Sequence, residues 1–405
     1  MRRQILIVAP WLPWPVDFGG AARVYHLARG LAAQHDVLLL APAGPEEAEA
    51  LRTLGAWCDV TAVPARWTAR QPAGRGKRLL QLRSLASRRS FLESATCRPQ
   101  FQATLDRLIN TRRIEIVQFE FPQMARYHVP PSLPTVLDAH NLEHELLARV
   151  AARAPSLQQR VFNLAESQKV RALERRVWRS MTVCVATSER DAQAIERESG
   201  TPTLLVPNGV DTRFFATLPR RPQPGSIVFT GAMRHAPNTE GALWFVERVL
   251  PLLRRELPEV SLAIVGADPP EEVQALADEW VNVTGRVDDV RPWLAEASVA
   301  IVPLHAGGGT RLKILDAFAA GVPVVSTTLG AEGLAVTDGA QLLLADTPEA
   351  FAMAVMRVLR DSALAERLAD AGRETACALY DWSRVTAQLV MAHNLALERA
   401  GSRSA

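Results

Sequence analysis

Apolar residues in the first half of the chain gather in short runs: Gln4 to Ala9, His35 to Ala41, Ile114 to Phe119, Thr135 to Asp138 and Thr182 to Thr187. Helical stretches separate them, and this alternation predicts a parallel sheet covered by helices. The pattern returns at Ser226 to Thr230, Val260 to Val265, Val299 to Pro303 and Pro323 to Thr327, so two α/β layers are expected. Between the halves lies Leu205-Val206-Pro207-Asn208-Gly209-Val210-Asp211, followed by Pro219, Pro222 and Pro224, a cluster of turn formers that marks a hinge near Pro207. The expected division is a first domain over 1–205, a second over 206–382, and a C-terminal helix over 383–405 that packs back towards the first domain. Its last residues, Gly401 to Ala405, are expected to fray.

Composition agrees with two globular cores, since 405 residues exceed what one core usually supports, and 48% are hydrophobic against 22% charged. Cys58, Cys97, Cys184 and Cys377 form no CxxC pair, which argues against structural zinc or a disulfide framework and fits a reducing cytoplasm. Pro10, Pro13 and Pro15 cut the first apolar run short of a signal-peptide core. Nowhere do ~18 apolar residues follow one another, so no spanning helix is expected. From Arg66 to Arg89, eight basic residues (Arg66, Arg70, Arg75, Lys77, Arg78, Arg83, Arg88, Arg89) and no acidic one are interleaved with Leu79, Leu80, Leu82 and Leu85. That mixture suits either an anionic membrane surface or a solvated helix face.

In open parallel sheets, ligands bind beyond the carboxyl ends of strands, where loops lead into helix N-termini. Four such loops carry unusual residues. The first runs from Leu304 and His305 through Gly307, Gly308, Gly309, Thr310, Arg311 and Lys313 to Asp316, then into Gly321-Val322-Pro323-Val324-Val325. Three glycines before a helix expose backbone N–H groups to a phosphate, and Arg311 and Lys313 reinforce that positive end. Asp316, ~7 Å further along the helix axis than Arg311, is placed to accept from ribose hydroxyls. The second loop is Val283-Thr284-Gly285-Arg286-Val287-Asp288-Asp289. The third, Asp17-Phe18-Gly19-Gly20-Ala21-Ala22-Arg23, opens a helix directly after the first strand and its proline-rich exit. The fourth, Leu137-Asp138-Ala139-His140-Asn141-Leu142-Glu143-His144-Glu145, sits at another strand end. His140 and His144 have the i, i+4 spacing of a zinc helix but lack the Glu after the first His.

The glycine loop resembles the donor-binding core of retaining GT-B glycosyltransferases of family 4, especially bacterial exopolysaccharide transferases with a Gly-Gly-Gly-Thr-Arg-x-Lys-x-Leu-Glu-Ala pattern. Supporting matches are Val206 to Asp211, Gly231-Ala232-Met233 with Pro237-Asn238, Ile264-Val265-Gly266, Val283 to Val287 and Ser326 to Leu334. The resemblance implies two Rossmann-like domains whose parallel sheets face across a cleft. It implies a nucleotide-sugar donor held by Gly19, Gly20, Arg234, Gly266, Arg286, Val287, Gly307, Gly308, Gly309, Thr310 and Asp316. His140, Arg311 and Lys313 take the catalytic roles, with Glu120, Asn141 and Glu143 towards the acceptor. The chain also departs from the family. Its two usual glutamates correspond to Gly308 and Asp316, and its Arg/Lys pair to Ala232 and Pro237.

The expected activity is transfer of a sugar from a nucleoside diphosphate to a hydroxyl of a sugar, lipid-linked or small-molecule acceptor, with retention. No metal or other cofactor and no nucleic-acid partner is expected, and there is no Asp-x-Asp triplet. The expected setting is bacterial polysaccharide or glycoconjugate synthesis in the cytoplasm, peripherally on the inner face of the membrane. A nucleotide-sugar epimerase of the same fold and a non-catalytic nucleotide-sugar binder are the rival readings.

Overall fold

The computed structural model describes residues 2–65, 81, 84, 87–96, 98–154, 156–306 and 311–404. They form two compact units, Met1–Pro207 with Val385–Ala405, and Asn208–Arg384. The first unit holds seven strands: β1 (Gln4–Val8), β2 (Asp36–Ala43), β3 (Asp59–Pro64), β4 (Ile116–Glu120), β5 (Thr135–Ala139), β6 (Val183–Ala186) and β7 (Thr203–Leu205). Their order is β3-β2-β1-β4-β5-β6-β7, and every neighbouring pair is parallel. The second unit holds six: β8 (Ser226–Thr230), β9 (Ser261–Val265), β10 (Val281–Gly285), β11 (Val299–Val302), β12 (Val324–Ser326) and β13 (Leu343–Leu344). They run β10-β9-β8-β11-β12-β13, again all parallel.

Strands buried on both faces read as continuous apolar runs, because helices cover a parallel sheet from both sides. Ile5, Leu6, Ile7 and Val8 of β1 are buried, as are Val299, Ala300, Ile301 and Val302 of β11. The chain order reverses between β1 and β4 in one sheet and between β8 and β11 in the other. At such a point the connections leave to opposite faces, opening a crevice outside the carboxyl ends.

Four strands lie outside the runs singled out in the sequence, namely β3, β7, β10 and β13, and the stretch expected as a loop from Val283 begins inside β10. The last helix spans Trp382–Ser404, so Gly401 is helical where fraying was expected. Val385, Leu389, Ala392 and Ala396 are buried and fall on one helical face. The basic residues Arg66, Arg70, Arg75, Lys77, Arg78 and Arg83 lie outside the described residues, as do Cys97 and Gly307 to Thr310. Among the described residues, no helix is long and apolar enough to cross a membrane.

Candidate functional site

In the first unit, chemistry-bearing side chains collect at the carboxyl ends of β1, β4 and β5. β4 ends on Glu120 and β5 is followed directly by His140. Parallel register pairs Glu120 with Asp138 across the two strands. Glu120 Oε2 and His140 Nε2 are 2.8 Å apart, and Glu120 Oε1 accepts a hydrogen bond from Gln118 at 2.6 Å. Burial and the neighbouring Asp138 push the Glu120 carboxyl up, while its hydrogen bonds to His140 and Gln118 pull it back. Arg23, on the helix Gly19–Ala32, is buried with both Asp138 oxygens within 3.0 Å of its guanidinium and donates to the Pro207 carbonyl at 2.8 Å.

Aromatic rings wall this corner. Phe121 sits at φ +68°, in the left-handed region that bulky residues avoid. It stacks on His140 with ring centroids 3.8 Å apart, and Trp11 packs against Phe121 at 5.0 Å. Phe18 and Trp11 stack at 5.7 Å where the helix begins at Gly19. An observed outlier of this kind marks a position that the surroundings over-determine.

Asn141 and Glu143 lead into the helix Glu143–Ala152, whose first amides are satisfied by a neighbouring helix. Glu174 accepts from the Glu143 amide at 2.7 Å and lies 2.6 Å from His144 Nδ1. Burial first, then the Glu174 charge, pushes Glu143 up to about 7. His140 therefore does not cap this helix. His140 and His144 engage different carboxylates, Glu120 and Glu174, so they do not converge as zinc ligands.

One trio of described residues could meet a metal ion, Glu120, Asp138 and His140, with ligand atoms within 4.8 Å of one another. The trio does not suit a divalent cation, because the Arg23 guanidinium already holds both Asp138 oxygens and would repel it.

In the second unit the glycines at the ends of β8 and β9 bring two backbones into contact. A Cβ on Gly266 would lie 1.8 Å from the Gly231 carbonyl oxygen, and Gly266 has φ +157°. Gly231, at φ +146°, leaves room for Lys313: a Cβ there would lie 2.8 Å from its ammonium nitrogen and 2.9 Å from Asn238 Nδ2. Lys313, on the helix Leu312–Ala319, donates to Asn238 Oδ1 at 2.6 Å and lies 4.5 Å above the Phe229 ring centroid. Asn238 in turn donates to the Ala232 carbonyl at 2.8 Å. Burial, aided by Arg311, lowers Lys313 to about 7, and burial raises Asp316, on the same helix, to about 7.

The other expected donor residues are placed less centrally. Arg234 forms an ion pair with Asp268 at 2.5 Å. Arg286 is exposed and Val287 half-buried, just past Gly285 at φ +69°. Arg311 is the residue before the helix Leu312–Ala319. Gly307, Gly308, Gly309 and Thr310 lie outside the described residues. Sequence reasoning missed Gln118, Arg23, Phe121, Glu174, Phe229 and the Lys313–Asn238 contact. Gln118, Phe121, Glu174 and Phe229 belong to no local motif, whereas Arg23 closes the loop that starts at Asp17, and Lys313 and Asn238 each lie in a motif whose mutual contact had no spacing to reveal it.

Two family models match the chain, Glycosyltransferase Family 4 over residues 18–214 and Glycosyl transferases group 1 over 224–361. The glycogen synthase of Mycobacterium tuberculosis is 27% identical, the match covering 96% of this chain and 94% of that one. In structure, the chain is similar to the sucrose-phosphate synthase of Thermosynechococcus elongatus, with a TM-score of 0.69, 18% identity, and coverage of 97% and 98%. It is also similar to Anabaena HepE in complex with UDP and glucose, with a TM-score of 0.64, 13% identity, and coverage of 96% and 99%. Two doubly wound parallel sheets, strand-end sites in each and two glycosyltransferase models side by side lead to one assignment: the chain is a glycosyltransferase of the family 4 type, built on the GT-B fold.

Proposed function

We propose that the chain transfers a sugar from a nucleoside diphosphate to an acceptor hydroxyl, with retention and without a metal, in bacterial polysaccharide or glycoconjugate synthesis. The observation that carries the donor assignment is the Lys313 ammonium, seated between Gly231, Asn238 and Phe229 at the carboxyl ends of the second sheet, with Asp316 one helical turn behind it. A diphosphate brought there meets Lys313, Arg311 and the helix N-terminus, a fixed positive array that stabilises the charge building on the leaving group. Asp316 accepts from the ribose hydroxyls. Backbone at Arg286 and Val287 holds the base, and Gly19 and Gly20 are further donor-binding residues.

His140 serves the transferring sugar. With Nε2 committed to Glu120, the ring presents Nδ1, and Phe121 fixes its plane. The acceptor hydroxyl is oriented by Glu120, Asn141 and Glu143, and the donor diphosphate takes its proton on the face where the new bond forms. The acceptor is a sugar, a lipid-linked or a small molecule. Binding of UDP and glucose by HepE supports a nucleotide-sugar donor. The basic residues from Arg66 to Arg89 attach the protein to an anionic membrane surface.

A thermal-shift screen with UDP-, GDP- and dTDP-sugars tests the donor assignment, since a ligand that binds only the folded state raises its apparent stability. One nucleotide class should raise Tm in the wild type and lose most of that shift in Asp316→Asn. No shift with any of them contradicts it.

A further inference from the structure

A continuous chain of buried hydrogen bonds joins His140 to the last helix of the protein, and it lies wholly within the first unit. His393, on the helix Trp382–Ser404, has Nε2 2.8 Å from Gln118 Oε1. Gln118 Nε2 donates to Glu120 Oε1 at 2.6 Å, and Glu120 Oε2 meets His140 Nε2 at 2.8 Å. All four side chains are buried, Gln118 fully.

The polarity of this chain is fixed by chemistry. A carboxylate only accepts, so Gln118 must turn its amide nitrogen towards Glu120 and its oxygen towards His393. That oxygen also only accepts, so His393 carries its proton on Nε2. Its Nδ1 is buried without a hydrogen-bond partner among the described residues, as expected for the unprotonated nitrogen of a neutral ring. Burial, with His35 and Arg3 nearby, lowers His393 to about 3, so the ring stays neutral throughout the working range. Reversing the amide would set its oxygen against the carboxylate. His393 therefore locks Gln118, and Gln118 locks Glu120.

We propose that Gln118 and His393 are positioning residues for the transfer reaction: they hold Glu120 as an oriented carboxylate so that His140 keeps its Nε2 proton and turns Nδ1 to the sugar. This rests on the role of His140 proposed above. The titratable groups facing Glu120 are Asp138 on β5, itself held by Arg23, and His140. Those facing His393 are His35 and Arg3. Gln118 donates directly to Glu120 Oε1, and without it one of the two side-chain hydrogen bonds that counter burial and Asp138 is lost, leaving His140 alone.

The test compares Gln118→Leu, His393→Phe and His393→Gln with the wild type across pH. Losing one charge-assisted hydrogen bond should move the acid limb of kcat in Gln118→Leu up by about one to two pH units, with donor KM unchanged. On the acid side of the wild-type limb its kcat should fall roughly ten- to a hundredfold, while the plateau at higher pH is kept. His393→Phe should shift the limb in the same direction, and His393→Gln, which restores a donor, should return it. Carboxyl carbon-13 NMR of Glu120 in the ligand-free protein reads the same shift without substrate. If the wild type transfers no sugar, the functional reading fails while the NMR comparison still decides the chain. An unshifted Glu120 titration in folded Gln118→Leu overturns the proposal. So does a fall in kcat that is equal at every pH and alike in His393→Phe and His393→Gln. Should Gln118→Leu not fold, the two His393 variants carry the same comparison.

Discussion

At the scale of single residues, Lys313 and Asp316 have pKa values that burial moves towards each other, both to about 7. The proposed donor seat demands the charged form of each: the ammonium for the diphosphate and the carboxylate for the ribose. Above about pH 7 the free lysine loses its proton and below about pH 7 the free aspartate gains one, so nucleotide affinity should peak near neutrality and fall on both sides. Titration calorimetry from pH 5.5 to 8.5 checks this, with Lys313→Met losing the alkaline limb and Asp316→Asn the acid one. A flat profile in the wild type rules it out.

The same shifts act on stability. The native state disfavours the charged lysine, a penalty felt in full below about pH 7 that fades as pH rises towards 10.5. It also disfavours the charged aspartate, a penalty absent below 3.8 and complete above about 7. The double variant Lys313→Met with Asp316→Leu should therefore stabilise the ligand-free protein at pH 7, by about 1–4 kcal/mol if the apolar pair packs well. Chemical denaturation measures it, and an equal or lower stability contradicts the burial cost.

Among elements, the approach of the β8 and β9 exits depends on Gly266. An added methyl 1.8 Å from the Gly231 carbonyl forces the two strand ends apart, and with them the seat of Lys313. Gly266→Ala should cost ~1–3 kcal/mol and raise the nucleotide Kd, as read by urea unfolding and calorimetry. Unchanged affinity in a folded variant argues against the seat. Which elements were legible follows from burial. β1, β8 and β11 sit inside their sheets and read as unbroken apolar runs, and β8 is bracketed by Gly225 and Gly231. β3 and β10 lie at edges and leave every residue but Val63 and Val281 at least partly exposed, so they carry no such signal. β7 and β13, also edges, span three and two residues.

On the scale of the whole molecule, the candidate site of each unit draws together residues far apart in sequence. Glu120 and His140 could be listed from their loops, but the pairing of Gln118 with His393 crosses 275 positions and that of Lys313 with Asn238 crosses 75. Such contacts are products of sheet order and have no spacing to read. The Trp382–Ser404 helix adds Val385, Leu389, Ala392 and Ala396 to the first unit's buried surface.

The proposed transfer rests most directly on His140, whose interaction should strengthen as the glycosidic bond breaks. Steady-state kinetics of sugar transfer by folded His140→Ala decide the matter. The expected result is a fall of ~10²–10³ in kcat and in kcat/KM alike, with donor KM nearly unchanged. A wild-type kcat in that variant would contradict the account.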